Sequence, residues 1–125
     1  MEIHNATIHN VSVGLSGPYD NLCIELTFKN SDNKWPHSFY LRDFSAVSHL
    51  ATLMKYSGVR KLNELEGKSV RIVTHNHLFR GFGHPTKDEF RPVGSDSNCA
   101  LMTLSSKEFE KFLSNPEHYL FFVCT

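Results

Sequence analysis

Leu22-Cys23-Ile24-Glu25-Leu26-Thr27-Phe28-Lys29 is the stretch whose pattern decides the fold. Large apolar residues stand at 22, 24, 26 and 28, and Cys, Glu, Thr and Lys fill the positions between them. A strand points successive side chains to opposite faces, so a period of two describes an antiparallel strand with one face in a core and the other toward water. A helix would scatter the same four apolar residues around its circumference.

Outward from this strand, residues 2–15 read as its partner. Ala6 and Ile8 share one face, and Val11, Val13 and Leu15 share the next, so the parity changes across His9-Asn10. A β-bulge there would keep both groups on the core side. Ser16–Asn21 is turn chemistry, Asn30–Lys34 is a polar loop, and Trp35-Pro36 leads into a third strand around 37–42. Val47, Leu50, Leu53 and Met54 lie on one helical stripe. They predict a helix over 44–57, capped by Asp43 or Ser45 and ended by Gly58. Leu62 and Leu65 form a short helical turn before Gly67, and two strands follow at about 69–75 and 77–83, turning at His75-Asn76.

Residues 84–98 read as a long loop around Phe90 and Val93, and Ala100–Leu104 as a strand. Ser105-Ser106-Lys107-Glu108 is a capping box that opens a helix over 105–115, stopped by Asn115-Pro116. The apolar run at 118–124 predicts a last strand covered on both faces. The sum is a single α+β domain over 1–125, a mainly antiparallel sheet of five to seven strands with two α-helices near 44–57 and 105–115 that cover a face of it. The expected core is Ile8, Val13, Ile24, Leu26, Phe28, Leu50, Leu53, Val70, Ile72, Phe109, Phe112, Leu120 and Phe122.

Composition bounds the function. At 125 residues and 14.3 kDa the chain suits one core, and 40% hydrophobic residues exclude a disordered chain. Thirteen basic and thirteen acidic residues cancel, which argues against a protein that coats nucleic acid. The opening MEIHNATIHN lacks a basic segment followed by an apolar core, and the longest apolar run is far below the ~20 residues that span a bilayer. The expectation is a cytoplasmic protein with no membrane partner. Cys23, Cys99 and Cys124 are scattered and form no C-x-x-C, so reduced thiols without a disulfide are expected.

Motifs of catalysis are missing: no G-x-S-x-G, no Walker A, no G-x-G-x-x-G and no H-E-x-x-H. His75 and His77 have a spacing zinc can use, with His84 in reach, but a turn at Asn76 would break their shared face. Neither metal nor cofactor is expected, and no enzyme activity. Two binding surfaces stand out. Trp35, His37, Tyr40 and Arg42 are interface-type residues in one short segment, with Phe39 and Leu41 turned inward. Trp35 has a second reading, folded over an open sheet edge. Arg71, Phe79, Arg80 and Phe82 mix cations and rings on one hairpin, which suits a pocket for a small cyclic or signalling nucleotide, often at a homo-oligomer interface. With His75, His77 and His84 the same hairpin suits an OB-like single-stranded nucleic-acid surface, although strand alternation commits Phe79 or Phe82 to the core.

The segment Glu2–Ile8 with Gly14-Leu15 resembles the opening of a family of small accessory proteins of unknown function encoded in tailed phages and prophages. The likeness returns at Gly58-Val59, Leu62, Leu65, Gly67–Ile72 and Phe82-Gly83-His84, and so covers about residues 2–93. The bulky stretch Trp35–Leu41 stands where that family has a glycine-rich one, and 94–125 reads as a C-terminal addition. The resemblance carries no catalytic residue. It implies a non-enzymatic protein that works by stoichiometric binding to a host defence protein, as an anti-CRISPR does.

Overall fold

The computed structural model describes residues 1–93 and 102–114. The expected strand at 118–124, with Leu120 and Phe122, lies outside them, as do Cys99, Cys124 and the whole segment 94–101. Six strands form one antiparallel sheet: β1 (Glu2–Ser16), β2 (Asn21–Lys29), β3 (Lys34–Tyr40), β4 (Ser69–His75), β5 (Leu78–Gly83) and β6 (Phe90–Pro92). Helix α1 spans Phe44–Ser57, a 3₁₀ turn spans Leu62–Leu65, and α2 spans Ser106–Ser114. The fold is α+β, with strand order β3-β2-β1-β4-β5-β6.

The strand read from 22–29 follows its pattern from Ile24 on, whereas Leu22 is exposed and Cys23 buried. Ile24, Leu26 and Phe28 are buried, pairing across β1 and β3 in the registers Val13↔Ile24↔Phe39 and Ile8↔Phe28↔Trp35. The bulge falls where parity placed it, between His9 and Ser12, with Asn10 at φ 58°. Glu66 holds it, since its two carboxylate oxygens each accept one backbone N–H, from Asn10 and from Val11, at 3.1 Å. The β4–β5 hairpin turns at Asn76-His77, both at positive φ, one residue later than expected.

The sheet curls tightly. His37 on β3 lies 5.2 Å, ring to ring, from Phe79 on β5, although β2, β1 and β4 separate those strands. Phe28 likewise stacks on Phe79 at 5.7 Å. Helix α1 fills the concave side through Leu50, Leu53 and Tyr56, against Ile8, Ile24, Phe28, Val70, Ile72 and Phe82.

The two helices do not share a face, contrary to expectation. Val70 and Ile72 of β4 belong to the core under α1, but Val73 packs with Phe90, Leu104, Phe109 and Phe112 under α2. Alternation therefore sends neighbouring β4 residues to helices on opposite sides. Gly81 makes room for α2: a Cβ there would meet the Arg91 carbonyl at 2.3 Å and the Phe109 ring at 2.9 Å. Ser105 and Glu108 form the capping box of α2, with amide contacts of 3.2 and 2.9 Å.

Other expectations are corrected. Phe90–Pro92 is not loop but strand, because Gly81↔Pro92 and Gly83↔Phe90 extend the sheet. Of the expected strand Ala100–Leu104, residues 100 and 101 lie outside the described residues, and among 102–104 Leu104 makes a bridge, to Phe90. Val13 is no core residue, and Val47 is exposed, since the buried stripe of α1 is Ser45, His49, Leu50, Leu53 and Tyr56. Asp43 stands at the N-cap of α1 without a capping side-chain bond.

Candidate functional site

Two places break the rule that apolar groups lie inside and charged groups outside. The first is the tip of the β1–β2 hairpin. Strand β1 is 15 residues long, but β4 pairs with it only from Glu2 to Thr7. Beyond the bulge, β1 has β2 alone as a neighbour, and the ladder runs on to Leu15↔Leu22 and Ser16↔Asn21. Val13, Leu15 (67% exposed) and Leu22 therefore project their side chains past the core on the α1 side. The entry to α1 comes back to the same tip, because Leu41 N–H donates to the Leu22 carbonyl at 3.0 Å and Arg42 donates to Asn21 Oδ1 at 3.3 Å. Phe44 (77% exposed) and Val47 follow on that helix. Five large apolar side chains are thus exposed on two segments that these bonds join, the hairpin tip and the first turn of α1, with the polar residues Asp20, Asn21, Arg42 and Asp43 between them in sequence.

The second place is the seam between α1 and β6. Arg91 is 6% exposed and points from β6 into α1. Its Nε donates to His49 Nδ1 at 3.1 Å and its Nη2 to Ser48 Oγ at 2.5 Å. Both partners are neutral, and among the described residues no carboxylate forms an ion pair with it. Accepting that bond places the His49 proton on Nε2, which is buried and has no hydrogen-bond partner. Burial, then the Arg91 charge, then nearby His37 lower the His49 imidazole to about 4. Burial alone lowers His37 to about 4.

The residues expected to form one protein-binding surface are divided by strand alternation. Trp35 and His37 share the concave face with Phe39, contrary to the expectation that they stay outside: Trp35 leans on the His4 ring at 5.2 Å, and His37 packs edge-on to Phe39 at 4.6 Å. Tyr40 faces the other way, opposite Cys23, at an open depression of about 710 Å³ that Ser12, Glu25, Thr27 and Ser38 also line. Cys23 is buried there, and burial together with Glu25 pushes its thiol up. Arg42 is exposed and belongs to the tip.

The second expected set is likewise not brought together. Phe82 is fully buried, edge-on to Tyr56 at 5.9 Å, and Phe79 is stacked on Phe28. Arg71 lies on the α2 side, where it donates to the carbonyls of His84 (2.7 Å) and Lys87 and covers the Phe90 ring. Arg80 sits at the β5 irregularity, and its carbonyl accepts the Val93 amide. No group of three or more metal-ligating side chains exists among the described residues, and no described helix is long and apolar enough to cross a membrane.

The tip and the seam were both missed by pattern reading. The tip carried one legible signal, a first strand twice as long as its later partner. The seam carried another, a single cation inside the apolar run Phe90-Arg91-Pro92-Val93. Comparison with protein-family models, with curated proteins and with solved structures gives no match for this chain.

Proposed function

We propose that this chain is a non-enzymatic binding protein of the phage accessory type, which blocks a protein of a bacterial defence system by stoichiometric docking. One observation carries the reading: Val13, Leu15 and Leu22 on the hairpin tip and Phe44 and Val47 at the start of α1 are large, apolar and exposed, on two segments tied together at Leu22 and Asn21. Exposed apolar side chains grouped on joined segments, rather than scattered singly, mark a surface that is covered in use. The tip also meets the mechanical need of a blocker, because the hairpin is anchored by the bulge clamp of Glu66 and by the backbone bond from Leu41 to Leu22. Rigid presentation lowers the ordering cost of binding.

The test is phage plating on bacteria that carry a defined defence system and express the chain. The wild-type chain is expected to restore plating and to co-elute with one purified component of that system. The double variant Leu15→Glu, Phe44→Glu is expected to lose both effects while keeping its melting temperature. A folded double variant that protects as well as wild type would overturn the proposal. So would concentration-dependent dimerisation of the pure chain that the same two changes abolish, since the tip would then be occupied by a second copy.

A further inference from the structure

We propose that the α1–β6 seam is a receptor for a small oxyanion of the phosphate type, with Arg91 and Ser48 as its ligand-binding residues. This goes beyond the docking reading and rests on different residues. A guanidinium removed from water ordinarily has a carboxylate beside it, because an uncompensated buried charge is costly. Arg91 is enclosed, yet both of its hydrogen-bond partners, His49 Nδ1 and Ser48 Oγ, are neutral. Among the described residues, its Nη1 donates to none.

Ser48 completes the site. Its oxygen accepts from Nη2, which leaves its own hydroxyl proton free to donate, and the residue is half-buried, the more accessible of the two ligand-binding residues. Arg91 and Ser48 together present a charged and a neutral donor side by side, the combination that oxyanions select. His49 is the positioning residue. By accepting from Nε it fixes the rotation of the guanidinium, and its unpartnered Nε2–H adds a second uncompensated donor to the same buried region. A carboxylate on the seam would satisfy Arg91 permanently; its absence among the described residues leaves the charge for a ligand.

Thermal melts and calorimetric titrations of the full chain with inorganic phosphate and with adenosine 5′-monophosphate, each against sodium chloride of equal ionic strength, test the proposal. Phosphate is expected to raise the wild-type melting temperature where chloride does not. Equal affinities for the two probes assign the site to the phosphate group alone, whereas tighter binding of the nucleotide assigns it to a nucleotide phosphate. Ser48→Ala, a half-exposed change that keeps the fold, is expected to weaken binding by about tenfold, the loss of one charge-assisted or hydroxyl contact. Arg91→Gln is expected to abolish it. His49→Asn is expected to weaken binding less than Arg91→Gln does. A wild-type chain that responds to phosphate no more than to chloride would overturn the proposal, as would a folded Ser48→Ala chain that binds as wild type does.

Discussion

The hairpin tip and the α1–β6 seam are opposite departures from the same rule. At the tip, Leu15, Leu22 and Phe44 are apolar and exposed; at the seam, Arg91 and His49 are polar and enclosed. Both sit on a scaffold whose core obeys the rule, with Ile8, Phe28, Leu53, Ile72 and Phe82 packed inside the curl of the sheet. The difference shows where each departure is tolerated. The tip escapes because a two-stranded extension has no layer above it, so exposure costs the fold nothing it had gained. The seam persists because α1 is held by apolar contacts along its length, which offset a polar contact at one point. Local inconsistencies of this kind are expected at functional places.

Leucine tests that contrast directly. Leu53→Ala, at a fully buried position of α1, is expected to cost about 2–5 kcal/mol in urea unfolding through the cavity it leaves. The same change at Leu15, already exposed, is the opposite limit.

Acid should act on the seam and spare the tip. His37 and His49 are held near 4 in the folded chain and titrate at their ordinary 6.5 when unfolded. The unfolded state therefore binds more protons between these values, so stability is complete above pH 6.5 and falls as pH drops toward 4. Each imidazole is expected to remove about 2 kcal/mol by pH 4.5. Urea midpoints at pH 7, 5.5 and 4.5 measure the slope, and His49→Asn should flatten it by about half. An equal slope in that variant would separate His49 from the acid response.

Glu66 joins the tip to the body of the sheet at the β1 bulge. Glu66→Ala removes both acceptors of the bulge amides and is expected to cost about 1–2 kcal/mol. Hydrogen exchange should quicken at Asn10 and Val11 and leave β4 unchanged. Leu15→Ala is the smallest effect, expected to stay within about 0.5 kcal/mol because the side chain is already in water. A larger loss would mean that the tip serves the fold rather than a partner.

Legibility followed the range of the interaction concerned. The bulge at His9-Asn10, the helix over 44–57, the Gly58 stop and the capping box at 105–108 were all readable, because each is decided by residues a few positions apart. Phe90–Pro92 was misread as loop, since its three residues become a strand only against β5. The residues at 35, 37, 40 and 42 looked like one surface because they are neighbours in sequence, yet alternation puts Tyr40 across the sheet from Trp35 and His37.

The sequence by itself determined β1 to β5, both helices and the period of each, because side-chain direction along a strand or helix is fixed by local backbone geometry. Only the tertiary structure decided that α1 and α2 take opposite faces, that the curl brings His37 against Phe79, and that Arg91 ends beside His49. Those outcomes depend on which segments meet across 40 residues or more of chain, and no local pattern encodes a distance of that kind.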